Sequence, residues 1–194
     1  MTLAVDTIER HSAHSGEIPG ITTGFALLDK LTYGLQGGHL WVIAGGPSDG
    51  KSTVMQNILG AAMVAGAKSA VYQLEMPIDE QAIRFLSSDS GVSSQSLLMG
   101  TMTQEEKRAL AESFHRMRQL GLDFVNVDGA NADDIMADIE AGDYQVVMLD
   151  YLQLLDVQMV KGQNREQAIS DVARKLKNLA KRKNVTILTG SQLN

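Results

Sequence analysis

The stretch LWVIAGGPSDGKST, residues 40–53, decides the fold of this 194-residue chain. It contains G-x-x-x-x-G-K-[ST], the Walker A pattern of a loop that binds nucleotide phosphates. The apolar, β-prone residues 40–44 before the loop predict a buried strand. An apolar helical stretch follows the loop, and Gly66 can close it. Strand, glycine loop and helix form the context that the motif requires, which favours a phosphate site over a chance glycine-rich turn.

The chemistry of this loop follows from its residue types. Its glycines let the backbone turn sharply with N–H groups pointing inward, and the following helix N-terminus adds partial positive charge. Lys51 can reach the β- and γ-phosphates, and the Ser52 hydroxyl can ligate Mg²⁺. The predicted nucleotide-binding residues are Gly45, Gly46, Pro47, Ser48, Asp49, Gly50, Lys51, Ser52 and Thr53.

Length and composition exclude several other classes of protein. The chain is long enough for one α/β domain with a sizeable core. Its net charge of −6 argues against a protein that coats nucleic acid electrostatically, although a local basic channel is compatible with it. The absence of cysteine excludes disulfides, thiol catalysis and thiolate metal sites. No stretch approaches the roughly 18 apolar residues of a membrane span, and the N-terminus lacks a signal-peptide pattern, so we expect a soluble cytoplasmic protein.

The rest of the chain predicts two parts, an arm at residues 1–17 with a short helix and a domain at 18–194. Residues 21–38 are rich in turns, with Phe25, Leu27, Leu28 and Leu31 packed between them. Further strands are predicted at 69–74, 124–127, 144–150 and 185–189, and helices at 79–87, 133–140 and 165–183. Another helix begins at the capping box of Thr103 and Glu106, with Leu110, Phe114, Met117 and Leu120 on one face. This alternation indicates a mostly parallel sheet with right-handed crossovers.

Three strand ends besides the phosphate loop carry a polar side chain after an apolar run. They are Glu75, Asp150 and Gln192. Ligands of open α/β sheets bind at the carboxyl ends of the strands, so all three side chains can face one nucleotide. Asp150 fits a Walker B carboxylate that holds Mg²⁺ together with Ser52. Glu75 can polarise the attacking water as a general base, and Gln192 can hydrogen-bond the γ-phosphate.

These motifs together resemble the ATPase domain of DnaB-type replicative helicases. The resemblance rests on residues 21–38, Leu74-Glu75-Met76, the run LDYLQL at 149–154, and Ser191-Gln192-Leu193-Asn194, in the family's order and spacing. The helix segment at 174–181 resembles the family's helix before the last motif. The similarity runs from about Asp6 to Asn194.

The resemblance implies a RecA-like P-loop NTPase fold and a ring, usually a hexamer, that translocates on single-stranded DNA with ATP and Mg²⁺. It implies Lys51, Ser52 and Asp150 as nucleotide and Mg²⁺ residues, Glu75 as catalytic base and Gln192 as γ-phosphate sensor. The arm would pack on a neighbouring subunit, and primase or a loader would be partners. Lys161 and Arg165 lie in the family's DNA-facing loop region, where phosphate contact and an ordinary solvated loop are both open. The origin would be bacterial, or a phage in a bacterial host.

The sequence also departs from the family pattern. Gly46 stands where the family usually has an arginine, which puts that arginine's contact in doubt. The sequence predicts no N-terminal primase-interacting domain. It ends before the family's last DNA loop and arginine finger, so we expect either a fragment or a short protein that hydrolyses ATP weakly. Two alternatives stay open: a RecA/KaiC-like ATPase acting as recombination mediator, loader or regulator, and a truncated non-catalytic subunit that joins a helicase ring.

Overall fold

The structure is a computed structural model that describes residues 18–127, 129–150, 152–154 and 164–193. Five strands of these residues form one sheet in the order β1-β5-β4-β2-β3, and every neighbouring pair is parallel. The strands are β1 Leu40–Gly45, β2 Ser69–Gln73, β3 Leu122–Val125, β4 Val146–Asp150 and β5 Thr186–Gln192. The mostly parallel sheet predicted from the sequence is therefore confirmed.

Helices connect the strands and cover both faces of the sheet. They are α1 Ala26–Thr32, α2 Lys51–Val64, α3 Ile78–Ser90, α4 Ser94–Met99, α5 Gln104–Gln119, α6 Ala132–Ala141 and α7 Arg165–Lys183, with a 3₁₀ turn at Leu152–Leu154. The period-2 alternation of β4 shows how the two layers arise. Val147 and Leu149 pack toward α6 and α7, whereas Val146 and Met148 pack toward α2.

Several sequence-based expectations about local structure were wrong. Residues 26–32 form α1, and Leu27 and Leu31 on it are 73% and 71% exposed instead of packed. The third strand begins at Leu122, earlier than predicted, because the chain pairs with Ser69 directly after the turn at Gly121. The strand predicted at 185–189 extends to Gln192, so the proposed sensor residue lies within β5.

The helix pattern was partly wrong as well. Helix α4 was not predicted at all, because its six residues SQSLLM are too few to show a helical period. On α5, Phe114 is 49% exposed while Ser113 is buried. Met117 and Leu120 do pack against the core, so the buried stripe of α5 is narrower than the apolar residues suggested.

A buried carboxylate holds the segment before β1 in place. Asp29 on α1 accepts hydrogen bonds from the Thr22 hydroxyl at 2.6 Å, the Thr23 hydroxyl at 2.6 Å and the Thr23 backbone N–H at 2.8 Å. Burial raises the pKa of Asp29, but these hydrogen bonds together outweigh burial and leave it lowered. The cluster fixes α1 beside α2, where Gly24 approaches Ala61 too closely to carry a side chain.

Much of the basic face of α7 is used within the chain. Lys175 pairs with Asp133, Arg182 with Glu140, and the Lys177 ammonium donates to the Gly38 carbonyl at 2.7 Å. These contacts join α7 to α6 and to the segment before β1. Across the described ranges, no helix has both the length and the apolar character needed to cross a membrane.

Candidate nucleotide site

The phosphate loop joins β1 to α2 and is the first part of the site. Gly50 caps α2 with φ +85°, a left-handed conformation that glycine adopts without strain. The first helical bond of α2 runs from the Val54 N–H to the Gly50 carbonyl, so the N–H groups of residues 51–53 have no acceptor within the helix. Helix geometry thus directs three free donors and the positive end of the helix dipole at the loop.

Two side chains of the loop also bond its own backbone. The Lys51 ammonium donates to the carbonyls of Gly46 at 2.7 Å and Gly45 at 3.2 Å, which keeps it curled over the loop. The Asp49 carboxylate accepts the Gly46 N–H at 2.6 Å. Gly45, Gly46 and Asp49, predicted as nucleotide-binding residues, therefore shape the loop and do not line the cavity described next.

A cavity of about 360 Å³ opens above the loop, within the range of small-molecule sites. It brings together residues from the phosphate loop, α2, the end of β2, α3 and the end of β5. The predicted residues that line it are Pro47, Ser48, Gly50, Lys51, Ser52, Thr53, Glu75 and Gln192. The structure adds Gln73, Met76, Gln81 and Arg84. Three of the four predicted motifs thus converge on one cavity, and the fourth, Asp150, lies beside the loop.

Asp150 is the most deeply buried acid of the site, with 1% of its surface exposed. Neither of its carboxylate oxygens has a hydrogen-bond partner of good geometry in the described part of the chain, although the Ser52 hydroxyl is close enough to affect it. Burial raises the pKa of Asp150 and the nearby Glu75 raises it further, while Ser52, Lys51 and Arg84 oppose that shift. Two unpartnered oxygens beside a hydroxyl form the hard oxygen donor set that Mg²⁺ prefers.

Two glutamines of the site carry further buried polar groups without partners. Gln73 ends β2 in register with Asp150, and its side-chain oxygen has no hydrogen-bond partner in the described structure. Gln81 on α3 is fully buried, and neither its oxygen nor its nitrogen is satisfied among the described residues. An unpartnered buried amide costs about 1–3 kcal/mol. Groups held at that cost beside a cavity indicate a site built for a polar ligand.

Arg84 is a charged residue of the cavity that the sequence did not predict. Glu75 showed no basic partner along the sequence, yet Arg84 on α3 lines the same cavity and acts electrostatically on Asp150. Glu75 lies in the connection between β2 and α3, whereas Arg84 lies on α3, so only a prediction of how α3 packs could have placed the two together. Glu75 also borders a second cavity of about 600 Å³ beyond β2.

The predicted DNA-contact residues have different outcomes. Lys161 and the arm at 1–17 lie outside the described residues. Arg165 begins α7, and its guanidinium donates to the Gln153 carbonyl at 2.7 Å. A phosphate contact by Arg165 stays a prediction, and this intramolecular bond would compete with it.

The fold and the site together define a domain of RecA-like fold with a candidate nucleotide site. A five-stranded parallel sheet flanked by helices places its phosphate loop and three strand-end groups at one edge. The chain belongs to the family of the DnaB-like helicase C-terminal domain, whose model matches residues 20–194.

Three of the relatives are bacterial replicative helicases. The chain is 30% identical over 194 residues to the replicative DNA helicase DnaC of Bacillus subtilis (strain 168), covering 97% of this chain and 42% of that protein. It is 31% identical to the replicative DNA helicase DnaB of Geobacillus stearothermophilus, again over 97% of this chain and 42% of that protein. It is 33% identical to the DnaB of Haemophilus influenzae, over 98% of this chain and 42% of that protein. The chain thus spans less than half the length of these relatives.

Solved structures confirm the fold. One of them is a solved structure described as an ATPase domain. It superposes with a TM-score of 0.90 over 100% of this chain and 70% of that chain. A DnaB-like replicative helicase, described with its interactions with primase, superposes with a TM-score of 0.86 over 100% of this chain and 48% of that one. Both are 23% identical in sequence, so they establish the architecture alone.

Proposed function

We propose that this chain is the ATP-binding and ATP-hydrolysing core of a replicative DNA helicase that translocates on single-stranded DNA and unwinds duplex DNA. The observation that carries the proposal is the convergence of the phosphate loop, Glu75 and Gln192 on one cavity, with Asp150 buried and unpartnered beside it among the described residues. Family membership supplies the class of work that the ATPase drives.

The proposed binding mode uses the contacts already described. The free N–H groups at the start of α2 bind the phosphates, and the Lys51 ammonium exchanges its loop carbonyls for β- and γ-phosphate oxygens. The Ser52 hydroxyl and the Asp150 carboxylate would hold Mg²⁺, directly or through water. The ion supplies charge neutralisation on the β- and γ-phosphates when it is bound.

The proposed chemical step is in-line attack of water on the γ-phosphorus. Glu75, exposed at the mouth of the cavity, accepts a proton from the attacking water as its oxygen bonds to phosphorus. The bond from the γ-phosphorus to the β–γ bridging oxygen breaks, and ADP leaves with the electron pair. Gln192 and Arg84 line the same cavity and would donate hydrogen bonds to the γ-phosphate oxygens. These bonds would be lost once the γ-phosphate leaves.

The proposed partners follow from the family. Single-stranded DNA is the proposed track, and the proposed assembly is a ring, usually a hexamer. One structural neighbour is described with primase, which makes primase or a loader a proposed partner here. The proposed location is the bacterial cytoplasm.

The test is single-turnover hydrolysis of ATP by this chain with Mg²⁺, with and without a single-stranded oligonucleotide. We expect Glu75→Gln to lower the rate by about 10²–10⁴-fold, the contribution typical of a general base, while MgATP still binds. Glu112→Gln, an exposed change on α5, is the matched control and should leave the rate unchanged.

Two outcomes would overturn the proposal. Equal hydrolysis by wild type and Glu75→Gln would remove the proposed chemistry. A hydrolysis rate that the oligonucleotide does not change, together with no strand displacement on a forked duplex, would remove the helicase assignment. DNA binding without displacement would point instead to a mediator or loader.

A further inference from the structure

The run LDYLQL contains a side chain, Gln153, that the proposed chemistry does not use. Gln153 lies on the 3₁₀ turn that follows β4 and is half-buried. Its amide nitrogen donates to the Ser191 hydroxyl at 3.0 Å and to the Gln192 carbonyl at 3.1 Å. Its amide oxygen accepts the Gln192 N–H at 3.4 Å. One side chain therefore bonds both the N–H and the carbonyl of the residue predicted to contact the γ-phosphate.

The sheet topology explains why such a side chain is needed. The β4–β5 ladder ends at the pair Leu149 and Thr189, so β5 runs on past its neighbour. On its other side β5 still pairs with β1, where Gly45 lies opposite Gln192 and accepts the Leu193 N–H at 3.0 Å. The end of β5 would otherwise be held along one edge only. A primary amide offers an N–H donor and a carbonyl acceptor, as a peptide group does. The Gln153 side chain therefore takes the place of the β4 backbone beside the end of β5.

The turn that carries Gln153 is itself fixed from the next helix. Arg165, the first residue of α7, donates its guanidinium to the Gln153 carbonyl at 2.7 Å. The main chain of Gln153 is thus bound to α7 while its side chain is bound to β5. Movement of the turn relative to α7 or to β5 would break one of these bonds.

From these contacts we propose that Gln153 is a positioning residue, which holds the backbone of Gln192 so that the Gln192 side chain faces the γ-phosphate. The proposal rests on the function proposed above for the same cavity. The Gln153 side chain bonds to β5, whereas the Lys51 ammonium bonds to the carbonyls of the phosphate loop, so binding of the α- and β-phosphates should not depend on Gln153. Gln153 should therefore affect only those steps that involve the γ-phosphate, namely its binding and its hydrolysis.

The first measurement is amide hydrogen exchange in the nucleotide-free protein. Gln153→Met keeps the length of the side chain and removes both hydrogen-bonding atoms. We expect exchange at the Gln192 amide to quicken by about two- to tenfold, because the 3.4 Å hydrogen bond to Gln153 is lost. The Leu193 amide, which is bonded to Gly45, serves as the internal control and should change little. Unchanged exchange at Gln192 would overturn the proposal whatever the enzyme's activity.

The second measurement is a double-mutant cycle on nucleotide binding and single-turnover hydrolysis. Gln153→Met should leave the Kd for MgADP within about twofold of wild type and lower the hydrolysis rate by about 10- to 100-fold, the effect of misplacing a catalytic contact. Combining it with Gln192→Met should cost no more than Gln192→Met alone, because residues that act through one contact are not additive. Gln104→Met, an exposed change at the start of α5, is the matched control.

The outcomes separate this proposal from the one on which it rests. Additive losses in the double variant, or equal weakening of MgADP and MgATP binding, would show a general structural role and overturn the positioning role. A wild-type protein that binds and hydrolyses MgATP while Gln153→Met does so equally well would overturn this inference and leave the proposed function standing. A wild-type protein that binds no MgATP would overturn both.

Discussion

Asp150→Asn should stabilise the ligand-free protein while removing its response to MgATP. Asp150 is 1% exposed, and its two oxygens have no good hydrogen-bond partner in the described residues. A buried group without partners costs about 1–3 kcal/mol, and more when it is charged. Asparagine keeps the shape and removes the charge, so we expect the free energy of unfolding at pH 7 to rise by about 1–2 kcal/mol. For a domain of this size that corresponds to a Tm increase of about 2–8 °C.

The pH dependence of the free energy of unfolding tests independently whether Asp150→Asn stabilises the protein. Because burial raises the folded-state pKa of Asp150, the folded state binds a proton more tightly than the unfolded state does. Wild type therefore gains stability from this group as the pH falls from neutrality through the raised pKa. The advantage of Asp150→Asn over wild type should be largest at neutral pH and shrink as the pH is lowered toward the ordinary value of 3.8.

The assay is urea unfolding in EDTA across this pH range, repeated with MgATP. Ligand that binds only the folded state adds stability to wild type, and we expect none to be added to Asp150→Asn. Asp143→Asn is the matched control, because Asp143 is exposed in an ion pair with Lys68 and its pKa is lowered by that lysine. Asp143→Asn should lower the free energy of unfolding or leave it unchanged. Destabilisation by Asp150→Asn in EDTA, or a difference that grows at lower pH, would refute the reasoning.

Three further predictions test other parts of the structure. Arg84→Met should weaken MgATP binding, measured by calorimetry, about tenfold or more, because a charged donor to the phosphates is lost. Arg108→Met, on the exposed face of α5, should leave the affinity unchanged, and equal affinities of the two variants would contradict a phosphate contact by Arg84. Gly50→Ala should cost about 1–2 kcal/mol in urea unfolding because Gly50 has φ +85°, while Gly60→Ala should stabilise the protein by about 0.5–1 kcal/mol. At both glycines the space that a Cβ would occupy has no neighbouring atom within 4 Å, so equal effects of the two substitutions would refute the backbone argument. Asp29→Asn should lower the free energy of unfolding by about 1–3 kcal/mol at pH 7. Because hydrogen bonds lower the pKa of Asp29, the stability difference between the variant and wild type should vanish only as the pH falls below 3.8. A stability difference that is already lost at pH 5 would contradict this prediction.

The sequence was sufficient for the parts of the site that depend on local pattern. The phosphate loop and its flanking strand and helix follow from residues 40–66, because the turn and the helix cap are set by glycine and by helix geometry. Asp150 and Glu75 were found because parallel strands bring their carboxyl ends to one edge. The convergence of these groups is therefore a consequence of topology that the alternation of strands and helices already implied.

The remaining parts depend on contacts between segments that no local pattern records. Gln81 and Arg84 belong to the site because of how α3 packs beside β2, and a glutamine within a helix gives no sign that it is buried. Gln153 matters because the β4–β5 ladder ends at Thr189 whereas β5 continues to Gln192. The exposed leucines of α1 show the reverse case, where apolar residues on a short helix predict packing that the described residues do not provide.

The central claim is that the cavity binds MgATP through the phosphate loop. Its most direct test is isothermal titration of MgATP into wild type, Lys51→Ala and Lys68→Ala, the last an exposed lysine remote from the loop. We predict one MgATP per chain for wild type and Lys68→Ala, binding that weakens when Mg²⁺ is removed, and a large loss of affinity for Lys51→Ala with the fold intact by circular dichroism. Equal affinity of Lys51→Ala and wild type, or no binding by wild type at millimolar MgATP, would contradict the account.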